Sequence, residues 1–150
     1  MKKLLIAFLI LFAWVSISFA AGTVVPSIGD EQDGSITVTL VCTSDGSGVI
    51  SDTDFAGPGT DLTKNLHGYY LYEVKVVPGA TGPKDDSDLY IKDANGIDLL
   101  GGTGVNRIDE TTNSHFQPPF YSRINSTLTL DVDNNDVDSS TYTITLVFAK

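Results

Sequence analysis

The chain has 150 residues, with nine Lys and Arg against nineteen Asp and Glu and a formal net charge of −10. That length suits one domain with a core of its own, and so acidic a surface repels nucleic acid and anionic headgroups, so no nucleic-acid partner is expected. The lone cysteine, Cys42, excludes an internal disulfide and leaves packing and hydrogen bonds to hold the fold.

Residues 1–20 have the order of a secretory signal peptide. Lys2 and Lys3 open it, an apolar run extends from Leu4 to Val15, and Ser18-Phe19-Ala20 supplies small residues for cleavage. The run is short for a bilayer span, so no stable membrane insertion is expected after cleavage. Cleavage would remove Lys2 and Lys3 and leave seven basic residues, a net charge near −12. The expected location is secreted, extracellular or at a cell surface, with the periplasm as the alternative. The acidic residues themselves read mainly as solvation.

Residues 21–34 contain Pro26, Gly29 and Gly34 without sustained periodicity and read as a flexible leader, or a loosely attached edge segment, before a domain over 35–150. Ile36 to Cys42 alternates apolar and polar residues, the pattern of a half-buried strand with Cys42 facing the core. Thr43 to Gly48 is turn chemistry, Val49-Ile50 a weak strand, and Ser51 to Gly68 mostly loop. Tyr69 to Val77 is a strong strand ended by Pro78-Gly79. Its alternation predicts Tyr70, Tyr72, Val74 and Val76 on one face.

Asp88 to Asp93 follows as a strand, Ala94-Asn95-Gly96 as a tight hairpin turn, and Ile97 to Leu100 as the return. Gly101 to Pro119 reads as a long loop and a candidate contact surface. Tyr121 to Asp133 and Tyr142 to Phe148 complete the strands, with a turn at Asn134 to Ser140. Short strands, frequent turn residues and no sustained amphipathic helix predict an all-β fold. The expected form is an antiparallel β-sandwich, jelly-roll or Ig-like, as one domain after the signal peptide.

Candidate chemistry is sparse. Asp131, Asp133, Asn135 and Asp136 place oxygen ligands close together, either as a weak calcium site or as a solvated hairpin. Beyond calcium, no cofactor is expected. His67 and His115 lack metal-site spacing, and Cys42 lies mid-strand, away from the exposure a nucleophile needs. No G-x-S-x-G elbow occurs, and the chain is expected not to be an enzyme. Tyr69, Tyr70 and Tyr72, with Phe116, Phe120 and Tyr121, either line a carbohydrate platform or fill the core and a subunit interface.

Two stretches carry a resemblance. Val77-Pro78-Gly79-Ala80-Thr81-Gly82-Pro83-Lys84-Asp85-Asp86-Ser87-Asp88-Leu89-Tyr90-Ile91 is similar to a "P-G-x-T-x-P-T-D-x-Y-D-h-x-h" segment. Asp93-Ala94-Asn95-Gly96-Ile97-Asp98-Leu99-Leu100-Gly101-Gly102-Thr103-Gly104-Val105-Asn106-Arg107 is similar to the "D-A-D-G-x-D-h-L-G-G-x-G-x-N-R" segment that follows it. Both resemble small β-rich structural proteins, decoration or fibre-like, of tailed bacteriophages and prophages. The resemblance implies an assembly-type β-sandwich, here with an added signal peptide, and transfers no catalytic residue.

The expected function is thus an exported, non-enzymatic β-sandwich subunit that self-assembles or decorates a larger surface, such as a virion, a filament or a cell surface. Its partners would be copies of itself or a larger protein assembly, with Asn106, Arg107, Phe116, Phe120 and Tyr121 as interface candidates. The alternative is an extracellular binding module for glycan or calcium.

Overall fold

A computed structural model of the chain describes residues 21–30, 34–57 and 60–150; the expected signal peptide, residues 1–20, lies outside them. The described elements run β1 (Thr23–Asp30), β2 (Ile36–Thr43), β3 (Thr53–Asp54), β4 (Ala56–Gly57), β5 (Thr60–Asp61), α1 (Leu62–Leu66), β6 (Tyr70–Pro78), β7 (Asp88–Lys92), β8 (Ser114–Phe116), β9 (Thr129–Asp133) and β10 (Thr141–Ala149). Two antiparallel sheets form an all-β sandwich: a five-stranded sheet ordered β1-β2-β10-β6-β8 and a three-stranded sheet ordered β3-β9-β7. Strands β4 and β5 make a separate short ladder.

Alternation builds the core directly. Val38, Leu40 and Cys42 of β2 lie beside Ile144, Leu146 and Phe148 of β10, and all six are buried. Leu89 and Ile91 of β7 and Leu130 of β9 close the core from the other sheet. Each buried aliphatic or aromatic side chain of this size contributes about 1.5–3 kcal/mol. Tyr142, also fully buried, has a hydroxyl with no hydrogen-bond partner. Burial, and then the neighbouring Cys42, push its ionisation above the ordinary tyrosine range. Tyr142→Phe removes an unsatisfied buried polar group, so the unfolding free energy is expected to rise by about 1 kcal/mol. Urea denaturation reads this directly, and a lower midpoint would contradict it.

The tyrosine-rich strand departs from simple alternation. Val147 pairs with Glu73, but the next residue, Phe148, pairs with Leu71, leaving Tyr72 as an extra residue on β6. This β-bulge reverses the facing of everything before it. Leu71, Val74 and Val76 are therefore buried while Tyr72 is exposed, so Tyr70 and Tyr72 do not share the inner face with Val74 and Val76.

Other differences have similarly local causes. The segment expected as a flexible leader or a loosely attached edge contains β1, an edge strand paired with β2 along its length. Val24 and Ile28 pack against the core, and Pro26 and Gly29 had disguised the alternation. Pro26 is tolerated because β1 lies at a sheet edge. Residues 51–68 hold short strands and α1, and Phe55, Leu62 and Leu66 are buried there. The turn after β7 has Gly96 at φ 78°, with Gly96 N–H donating to Asp93 O at 2.9 Å and Asp93 N–H donating to Ile97 O at 3.0 Å. It is a three-residue connection with glycine in the left-handed position. Its return makes only an isolated bridge, Lys92 to Asp98. The loop expected over Gly101–Pro119 contributes β8 to a sheet edge and buries Ile108, while the long strand expected from Tyr121 is regular only over Thr129–Asp133.

Candidate functional site

The bulge turns Tyr72 away from the core, and Tyr70, two residues earlier, pairs with Ala149. The chain returns past this end of β6 through an isolated bridge between Tyr70 and Arg123, which brings Tyr121 alongside. Tyr72 and Tyr121 stack with centroids 6.0 Å apart and planes 14° apart. Together with Tyr70, Ala149 and Lys150 they line a groove of about 310 Å³. Tyr72 and Tyr121 remain 43% and 53% exposed, so both rings are accessible from solvent. Lys150 Nζ lies 4.8 Å from the ring centroid of Tyr69, a cation–π distance.

The interface candidates separate. Phe116 belongs to the core, with the Arg107 guanidinium 5.3 Å from its ring centroid. Asn106, at φ 54°, donates its backbone N–H to Asp88 Oδ1 at 2.8 Å, and so helps fix the loop. Phe120 and Tyr121 are exposed, and only Tyr121 lines the groove.

A second feature is the outer face of the five-stranded sheet. Cross-strand register makes one row of Val25, Val41, Thr143 and Val77, and a second of Ser27, Thr39, Thr145 and Lys75. A third row contains Gly29, Thr37, Val147 and Glu73. The face is thus uncharged across β1, β2 and β10, and charge begins at β6. There Glu73 Oε1 lies 2.6 Å from Lys75 Nζ and 3.0 Å from His115 Nε2. Lys75 is the leading cause of the lowered ionisation of Glu73, against a smaller cost of burial. Val25, Val41 and Val77 are 61%, 48% and 44% exposed, which places apolar surface on the solvent side of the sheet.

The other sheet has the opposite character. Alternation of Leu89 and Ile91 into the core sends Asp88, Tyr90 and Lys92 of β7 outward, where they pair in register with Asp133, Asp131 and Thr129 of β9. Lys92 is ion-paired with Asp131, and Asp136 Oδ2 lies 2.9 Å from Lys84 Nζ. Asn135 accepts from Lys84 N–H at 3.0 Å and donates to Gly48 O at 2.7 Å and Ser140 Oγ at 2.9 Å. The candidate calcium ligands Asp131, Asn135 and Asp136 are therefore committed to separate partners, while Asp133 lies exposed opposite Asp88. Among the described residues no group of three or more His, Cys, Asp or Glu could hold a metal ion.

Several aspartates serve as loop staples rather than as simple solvation. Asp45 Oδ1 accepts from Ser47 and Val49 N–H, both at 2.8 Å, and Asp93 Oδ1 accepts from Asn95 and Ile97 N–H at 2.8 and 2.9 Å. Asp109 Oδ1 accepts from Thr111 and Thr112 N–H at 2.9 and 2.7 Å. The backbone donors hold the Asp93 and Asp109 carboxyls below the ordinary aspartate range, led by Ile97 and Thr111. Of these, Asp45 lies in the Thr43–Gly48 segment that reads as turn chemistry from the sequence, since an Asp in such a turn caps the backbone two residues on.

Cys42 is fully buried and free, and burial pushes its thiol up to about 12. It is a protonated core side chain at neutral pH, unsuited to nucleophilic attack. His67 is exposed in the loop after α1, distant in sequence from His115. No protein-family model, curated protein or solved structure matches the chain.

Proposed function

We propose that this chain is an exported, non-enzymatic β-sandwich subunit that assembles with copies of itself through the outer face of its five-stranded sheet. The observation carrying this reading is the segregation of charge. A chain of net charge −10 has a Thr/Val surface across β1, β2 and β10 without a charged side chain in its central rows. Two such chains repel wherever their carboxylates meet, and this face lets them approach without that penalty. Exposed valines supply apolar area to remove from water, and threonine methyls and hydroxyls make the surface both apolar and able to hydrogen-bond.

Export is supported by the Lys2-Lys3 start, the apolar run and the small residues around Ala20. The similarity of the 77–91 and 93–107 segments to phage structural proteins supports an assembling or decorating role. The edge strand β1 carries Pro26, which disfavours continuous edge-to-edge pairing and favours contact through the face.

Light scattering coupled to size-exclusion chromatography tests the reading. The secreted protein is expected to run as an oligomer. Val41→Glu, which adds one carboxylate per subunit at the centre of the face, is expected to weaken association by about 100-fold, since like charges in an interface cost several kcal/mol. Far-UV circular dichroism is expected to be unchanged, because Val41 is solvent-facing. A wild-type monomer at about 1 mM, where association would be weaker than about 4 kcal/mol, overturns the proposal.

A further inference from the structure

We propose that the tyrosine groove beside the bulge is a binding site for a neutral glycan, with pyranose rings stacked on Tyr72 and Tyr121. The occupant is defined by three properties of the groove. Its near-parallel rings, 14° apart, offer flat aromatic faces to an equally flat apolar surface. Its lining includes Lys150 and three tyrosines, whose ammonium and hydroxyl groups are suited to hydrogen-bond ligand hydroxyls. The surrounding field belongs to a chain of net charge −10, which repels nucleotides and other polyanions.

A pyranose with equatorial hydroxyls satisfies all three, because its axial C–H bonds form an apolar face, its hydroxyls form the rim, and it is uncharged. The volume, about 310 Å³, lies at the small end of the range for small-molecule sites, about 300–1,000 Å³. The groove is also structurally fixed. Tyr72 is set outward by the bulge, and the segment carrying Tyr121 is anchored through the Tyr70–Arg123 bridge and by Ile124 N–H donating to Tyr69 O at 2.8 Å. Bulges that re-aim a side chain recur next to functional sites. The site lies past the Val147–Glu73 row, at the end of the sheet face proposed for self-assembly.

The test is calorimetric titration of the secreted protein with neutral hexasaccharides of β-linked glucose, xylose and mannose, with a proline-rich decapeptide as competitor. Trp14 is the single tryptophan and lies in the signal peptide, so tyrosine emission of the cleaved protein gives a second readout. At least one hexasaccharide is expected to bind. Tyr72→Ala and Tyr121→Ala are each expected to weaken that binding by at least about tenfold, the scale of one lost stacking contact. Tyr72→Phe retains the ring and is expected to stay within about threefold of wild type, while Tyr90→Ala on the other sheet leaves affinity unchanged. No heat from any hexasaccharide, undiminished binding in both alanine variants, or tighter binding of the peptide overturns the proposal.

Discussion

Lys92→Met is expected to lower the unfolding free energy by about 2–3 kcal/mol at about pH 7, and part of that loss is expected to disappear at about pH 4. Lys92 is a cation on a strongly acidic sheet face, and its partner Asp131 is 6% exposed. Breaking a fully buried pair costs about 3–5 kcal/mol because the remaining charge stays buried; the lower figure here allows for a lysine side chain that is 35% exposed. The hydrogen bond to Asp131 is the main cause that raises Lys92 above the ordinary lysine range. A raised folded-state value means that its contribution is fully present below the unfolded lysine value and is lost as pH rises through the folded one.

Asp52 works in the opposite direction within the same cluster. Desolvation, followed by the charge of Asp131, raises its ionisation, so folding opposes its charged form. Its contribution is present below the unfolded aspartate value and is lost as pH rises through the folded one. Lys92 draws Asp52 back down, so with Lys92 gone the folded state opposes Asp52 ionisation more strongly, and the deficit grows as pH rises through the aspartate range and shrinks on acidification. Urea titration of wild type and variant at about pH 4 and about pH 7 measures this. The double variant Lys92→Met with Asp131→Leu is expected to recover most of the loss, since replacing both members of a buried pair is close to neutral. A deficit of equal size at both pH values would mean that packing of the lysine stem, not charge, accounts for it.

The parts of the fold that were legible in the sequence are those where local pattern and tertiary pairing agree. Ile36 to Cys42, Asp88 to Asp93 and Tyr142 to Phe148 alternate strongly; each span holds a strand, and Ile36, Val38, Leu40 and Cys42 face the core as the alternation predicts. β1 was obscured because Pro26 and Gly29 occupy strand positions, and their tolerance depends on an edge location that only the assembled sheet defines. The facing of Tyr70 and Tyr72 depends on a bulge set by how β10 pairs with β6, a non-local property invisible to a period-two reading. The aromatic residues of the groove were all recognisable as candidates. Their selection was not, because Tyr121 reaches Tyr72 only through the fold, while Phe116, equally aromatic and nearby in sequence, is drawn into the core. The charge segregation between the two sheets was hidden for the same reason: threonine and aspartate alternate with apolar residues in much the same way, and only strand order collects each kind on its own face.

Gly48→Ala is expected to destabilise the fold by about 3 kcal/mol, although residue 48 lies in a turn whose sequence looks replaceable. Gly48 has φ 82°, a region in which a side chain costs about 1–2 kcal/mol. A Cβ there would also lie 2.5 Å from Asp136 Cα and C, backbone atoms that cannot rotate away. Overpacking of this kind adds about 1–3 kcal/mol. The close approach exists because two distant turns interlock. Ser44 N–H donates to Ser140 O at 2.9 Å, Ser139 N–H donates to Asp45 O at 3.0 Å, and Asn135 Nδ2 spans Gly48 O and Ser140 Oγ. These contacts tie the ends of β2 and β10, the two strands that support both the uncharged face and the core. Displacing the 134–140 turn by a methyl group therefore strains the register of the central pair as well as the turn itself. Asn135→Ala removes the donations to Gly48 O and Ser140 Oγ and the bonds that Oδ1 accepts from Lys84 and Val137 N–H, without intruding on the backbone, and a smaller loss, about 2 kcal/mol, is expected from it. Denaturant midpoints for both variants decide whether the junction is steric: a Gly48→Ala loss no larger than that of Asn135→Ala would show that the turn yields, and that hydrogen bonding alone holds the two strands in line.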